Sequence, residues 1–106
     1  MVRKLYQPLE LGALKLQHGV VMAPLTRMRA GEPGQFPRDM AAEHYGQRSS
    51  PGTLLIAEAS QISREGQGYG HTPGCFTPEQ VRGWKKVTAA VHEKGGKTPD
   101  AVLWII

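Results

Sequence analysis

Apolar and polar positions alternate in two short stretches, Leu9-Glu10-Leu11 and Leu14-Lys15-Leu16, on either side of Gly12-Ala13. Period-two alternation around a two-residue connection predicts a β-hairpin. The next apolar run, Val20 to Ala23, does not alternate and opens on β-branched residues. That is the pattern of a parallel strand covered on both faces. Pro24 then ends its ladder, having no N–H to donate. A second such run, Thr53 to Ala57, leads into Glu58-Ala59-Ser60. Two consecutive strands thus deliver polar residues at their C-terminal ends, the face that carries active sites in α/β barrels.

The segments between them are punctuated by glycine and proline. Arg29 to Phe36 reads as a loop. From Pro37 to about Arg48 the pattern predicts a helix, with Pro37 near its first position and Met40, Ala41, His44 and Tyr45 along one face. A long loop follows the second strand, from about Ser60 to Phe76, with glycine at 66, 68, 70 and 74. Loops of that length in compact domains are usually functional. The next helix has the clearest start: Thr77 caps, Pro78 takes the first position, and Gln80 completes a capping box. Val81, Trp84, Val87 and Val91 then recur at near-helical spacing until Gly95-Gly96 ends the helix. Val102 to Ile106 has strand propensity. No internal repeat or low-complexity tract divides the chain, which is read as one domain over residues 1–106.

Several of these pieces, in this order and spacing, resemble the N-terminal part of the old yellow enzyme family. These are FMN-dependent ene-reductases that include 12-oxophytodienoate and N-ethylmaleimide reductases. The likeness runs from about Leu5 to Lys97 and rests on Gln7-Pro8-Leu9, Met22-Ala23-Pro24-Leu25-Thr26-Arg27, Glu58-Ala59-Ser60-Gln61-Ile62-Ser63 and Thr77-Pro78-Glu79-Gln80. It implies an α/β fold: a hairpin plugging the N-terminal end of a TIM (β/α)8 barrel, followed by the first two to three βα units. A complete barrel takes roughly 250 residues, and this chain has 106. A truncated barrel that leaves strand edges unpaired is expected to be marginally stable or prone to associate.

Two positions depart from the family. His18-Gly19 stands where relatives often carry Asn-Arg, which is expected to weaken packing before the first barrel strand. Residues 98–106 form a divergent tail: Leu103-Trp104 echoes a Gln-Leu-Trp-His motif of relatives, without its glutamine or histidine.

Charge alters this picture little. The formal net charge of +4 comes from cations scattered along the chain, with no aromatic-interleaved cluster of the kind that stacks bases, so a nucleic-acid partner is not expected. Cys75 is the only cysteine, which excludes an intramolecular disulfide and fits a reducing compartment. No apolar run has the length of a signal peptide core or a membrane span, and a soluble cytoplasmic protein is expected. His18, His44, His71 and His92 show no ligand spacing, and no metal is expected.

The resemblance implies a flavin slot at the strand ends. Ala23, Pro24, Leu25, Thr26 and Ala59 are its FMN-binding candidates: Pro24 and Leu25 through backbone contacts, Thr26 through its hydroxyl, Ala59 through its small size. Taken alone, Thr26 reads as a threonine that finishes a strand and bonds local backbone; within the full motif the flavin reading is favoured. Tyr69 resembles the aromatic that walls the substrate pocket, against the plain reading of an exposed loop tyrosine. Gly66-Gln67-Gly68-Tyr69-Gly70 is not a dinucleotide fingerprint, since it does not join a strand directly to a helix. Glu58 invites a general-base reading, but a lone carboxylate at a strand end is more often paired, and Arg27 on the neighbouring strand is the expected partner.

The implied reaction is reduction of the C=C bond of an α,β-unsaturated carbonyl or nitro compound, with NADPH or NADH as reductant. The resemblance places the substrate-holding pair, the proton donor and the FMN phosphate site on later strands, so no catalytic residue is assigned and the chain alone is expected to be inactive. Two alternatives stay open: a non-catalytic interaction fragment that self-associates through its open sheet edge, and a truncated gene product without function.

Overall fold

In a computed structural model, residues 3–96 are described. A 3₁₀ turn (Lys4–Tyr6) leads into β1 (Leu9–Leu11) and β2 (Leu14–Leu16). These pair antiparallel, Leu9 opposite Leu16 and Leu11 opposite Leu14. This is the hairpin expected from the alternation. Leu16 is its buried residue, and its neighbour Gln17 donates its backbone N–H to the Gly52 carbonyl at 3.2 Å.

A β-α-β-α segment follows: β3 (Val21–Met22), α1 (Asp39–Gln47), β4 (Leu54–Leu55) and α2 (Pro78–Glu93). β3 and β4 are parallel, Val21 opposite Leu54 and Met22 opposite Leu55. Parallel strands need a crossover, and α1 lies within it. Both strands are shorter than the apolar runs at 20–23 and 53–57, because the ladder extends only where two strands lie side by side. The Ile56 N–H still reaches the Met22 carbonyl at 3.1 Å. His18 donates to Thr53 Oγ1 at 3.0 Å and accepts the Val20 N–H at 3.2 Å, tying the start of β3 to that of β4.

The core is one cluster, Tyr45 of α1, Leu55 of β4 and Val87 and Val91 of α2, with Met22, Ala41, Ala42, Ala57 and Trp84 packed against it. Two helix faces therefore differ from the sequence reading. Met40 is exposed and Ala42 packs inward in its place. Val81 is 39% exposed, whereas Gln80 and Gly83 are buried. Pro37 is not at the first position of α1: the helix begins at Asp39 with Arg38 as its cap. Pro37 is instead buried against α2, where a Cβ on Gly83 would lie 2.7 Å from its carbonyl oxygen. Glycine at 83 is what lets the two segments approach.

Both ends of α2 follow the predicted chemistry. The Thr77 hydroxyl accepts the Gln80 N–H, and the Gln80 side chain accepts the Thr77 N–H. At the other end Gly95 has φ +78°. Its N–H bonds the His92 carbonyl, and the Gly96 N–H bonds that of Val91, the paired closure that a left-handed residue permits. Among the described residues no helix is long and apolar enough to cross a membrane. The strand expected at 102–106 lies outside the described residues. The architecture is that of a small α/β unit, consistent with the N-terminal part of a TIM barrel.

Candidate functional site

Because β3 and β4 run parallel, the chain leaves both strands at the same end of the sheet. β3 continues into Ala23, Pro24, Leu25 and Thr26, all exposed, Leu25 by 66%. β4 continues into Glu58, which is buried, and Ala59, which is half-buried. The two exits are joined by the ion pair expected from the sequence. The Arg27 guanidinium donates to Glu58 Oε1 at 2.5 Å, and the Arg27 backbone N–H faces Glu58 Oε2 at 3.5 Å.

A third partner, Tyr45 of α1, was not legible from helical spacing alone. Its hydroxyl accepts the Glu58 backbone N–H at 3.0 Å and lies 3.4 Å from Glu58 Oε1. Its ring lies under the Arg27 guanidinium, 4.7 Å from centroid to carbon, a cation–π geometry. Burial raises the Tyr45 phenol above its usual value, with the Glu58 charge pushing the same way, while the Glu58 backbone N–H and the Arg27 charge oppose it. Burial also lowers His44 on the same helix, aided by the charges of Arg27 and Arg48. Glu58 is thus a satisfied structural carboxylate, turned back into the fold.

The long loop is pinned rather than free. Gln61 exchanges backbone bonds with Pro73 and Cys75. Its side-chain amide donates to Gln35 Oε1 at 3.0 Å and the Thr72 carbonyl at 2.9 Å, while its oxygen accepts the Thr72 hydroxyl at 3.1 Å. Gln61 lay within the recognised motif, but nothing in its spacing signals a hub. The Thr72 hydroxyl also reaches the Tyr69 carbonyl at 2.9 Å. Tyr69 is therefore held by its backbone, with the residue 56% exposed.

A cavity of about 430 Å³ opens beside the ion pair, lined by Arg27, Arg29, Arg38, His44, Gln47 and Glu58 among others. It lies on the α1 side, and none of Ala23, Pro24, Leu25, Thr26 or Ala59 lines it. Ala23, Pro24, Leu25 and Thr26 form an exposed ledge at the strand ends. Chemically the ledge offers an apolar surface, one free-standing hydroxyl and backbone amide groups, with no uncompensated carboxylate.

Comparison with known proteins follows the same segment. Residues 4–99 match the model of the NADH:flavin oxidoreductase / NADH oxidase family. The chain is 52% identical over 95 residues to a flavin oxidoreductase of Emericella nidulans, covering 87% of this chain and 24% of that protein. It is 50% identical over 91 residues to 12-oxophytodienoate reductase 1 of Oryza sativa subsp. japonica, covering 86% and 23%. It is 47% identical over 92 residues to a protein named a probable inactive reductase in Epichloe festucae var. lolii, covering 86% and 24%. The chain spans about a quarter of the length of these curated relatives. Over that N-terminal region it belongs to the NADH:flavin oxidoreductase / NADH oxidase family, the old yellow enzyme family.

Proposed function

We propose that this chain supplies the ring-binding edge of an FMN-dependent NAD(P)H oxidoreductase that reduces the C=C bond of α,β-unsaturated carbonyl or nitro compounds. The observation that carries the reading is the exposed ledge Ala23-Pro24-Leu25-Thr26 at the shared end of two parallel strands, inside a segment that matches the family.

The residues fit a flavin ring. Pro24 and Leu25 are apolar and exposed, Ala59 is small enough for close approach, and the Thr26 hydroxyl is an exposed donor. A donor placed where negative charge develops favours reduction. The neighbouring carboxylate would oppose it, but Glu58 is compensated by Arg27. Bound FMN would supply hydride exchange between a nicotinamide and an electron-poor alkene. Tyr69, carried on the pinned loop, would wall the substrate side.

A 47% identical relative is named a probable inactive reductase, so likeness here does not by itself confer turnover. Residues 1–106 on their own are inactive in this reading. The test is NADPH oxidation with FMN and an enone: the expected rate equals that of free FMN. A protein-dependent rate that falls in Thr26→Ala would overturn it.

A second reading has its own support. Val21 of β3 and Val20 just before it are exposed, and the partner of β3 among the described residues is β4. An exposed strand edge pairs readily, so the chain would self-associate there. Light scattering after size exclusion decides it: a concentration-dependent dimer supports association, and a monomer at all concentrations contradicts it.

A further inference from the structure

We propose that Glu58 is the positioning residue of the flavin ledge, holding Thr26 through Arg27 and Ala59 through its own backbone. The proposal rests on the flavin reading above and deepens it.

The geometry is a clamp across the two strand ends. Glu58 is 5% exposed, and its carboxylate receives the Arg27 guanidinium at 2.5 Å while facing the Arg27 amide at 3.5 Å. A charge-assisted contact of this kind fixes direction as well as distance. Arg27 directly follows Thr26, so locking the Arg27 backbone restricts where the Thr26 hydroxyl can point. On the other strand, the Tyr45 hydroxyl accepts the Glu58 N–H at 3.0 Å and holds the Ala57–Glu58 peptide, while the Glu58 carbonyl, in the peptide that enters Ala59, accepts the Ser60 hydroxyl at 3.2 Å. Tyr45 in turn belongs to the buried core with Leu55, Val87 and Val91. One buried residue, by its carboxylate on one strand end and its backbone on the other, therefore references both halves of the ledge to the rigid part of the fold. The same arrangement explains a carboxylate beside a flavin site that takes no part in proton transfer: both its oxygens face Arg27, and its amide faces α1.

Two measurements on the 106-residue chain test it. The first is amide hydrogen exchange without FMN, comparing the parent with Glu58→Gln, which keeps the shape and one acceptor but removes the charge. Exchange at the Arg27 amide, which faces Glu58 Oε2, should accelerate by about tenfold, a mid-range coupling for residues in one network, with Val87 and Val91 unchanged. No acceleration at Arg27 overturns the proposal. Equal acceleration at Val87 and Val91 also overturns it, by assigning Glu58 a general structural role. Should Glu58→Gln fail to fold, Arg27→Lys, which keeps a cation but loses the fork, is read by the same criteria.

The second is FMN affinity by fluorescence titration in a cycle with Thr26→Ala. Glu58→Gln should weaken binding by about tenfold in the parent and by less than about twofold in the Thr26→Ala background. Equal losses in both backgrounds overturn the proposal. If the 106-residue chain binds no FMN, the exchange result alone decides whether Glu58 positions the ledge.

Discussion

Replacing Gln80 by alanine isolates a buried polar hub that helix patterning does not reveal. Gln80 is 1% exposed. Its side-chain oxygen accepts the Phe76 N–H at 2.8 Å and the Thr77 N–H at 3.0 Å, and its amide donates to the Gly34 carbonyl at 2.9 Å. Each such bond contributes about 1 kcal/mol net, so truncation forfeits about 3 kcal/mol, and the space left by the side chain adds about 1 kcal/mol. Alanine avoids the rotamer entropy that glutamine loses on folding, which offsets about 1.5 kcal/mol. The expected loss is about 2–3 kcal/mol, a large share of the ~5–15 kcal/mol that holds a typical domain. Thr77→Ala removes only the acceptor for the Gln80 N–H at 3.2 Å and should cost about 1 kcal/mol. Helix propensity alone predicts the opposite sign for Gln80→Ala, since alanine is the better helix former. Urea unfolding followed by far-UV circular dichroism separates the two. A Gln80→Ala variant within about 0.5 kcal/mol of the parent would refute the hub.

Other perturbations have equally definite signs. Gly83→Ala gains about 1 kcal/mol of helix propensity but drives a Cβ to 2.7 Å from the Pro37 carbonyl, and overpacking costs about 1–3 kcal/mol; a lowered Tm is expected, and a raised one would show that α2 does not rest on Pro37. Tyr45→Phe keeps the ring under Arg27 but strands the Glu58 N–H, so a loss of about 1–2 kcal/mol is expected in the same unfolding assay, and an unchanged midpoint would contradict the bond. The parent should also lose stability as pH rises past 10.0, the ordinary phenol value, and through the raised Tyr45 value, and Tyr45→Phe should lack that loss. His44 is lowered from 6.5 in the fold, so its contribution is intact above 6.5 and declines as pH falls through the lowered value. His44→Gln should flatten that part of the stability–pH curve, and an unchanged slope would remove His44 as its source.

What the sequence made legible was local. The hairpin follows from alternation over Leu9–Leu11 and Leu14–Leu16, and the start of α2 from Thr77, Pro78 and Gln80, because those signals are carried by neighbouring residues. The Arg27–Glu58 pair was also foreseeable, since consecutive parallel strands end side by side. Features set by contacts distant in sequence were not. Pro37 reads as a helix start but packs on Gly83, 46 positions away. Val81 reads as core, yet the inward positions there belong to Gln80 and Gly83, because the loop carbonyl of Gly34 needs a donor. Tyr45 reads as a core aromatic, and only the fold shows its hydroxyl turned to Glu58. Gln61, inside a recognised motif, becomes the clasp of the long loop through Gln35 and Thr72.

The central claim is that residues 23–26 with Ala59 form a working flavin edge. Its most direct test is a chimera in which residues 4–96 of this chain replace the matching segment of the Oryza sativa 12-oxophytodienoate reductase 1, with which the chain shares 50% identity. The account predicts a yellow protein that holds FMN and loses affinity for it on Thr26→Ala. A folded but colourless chimera, or one whose flavin binding ignores Thr26→Ala, would contradict it.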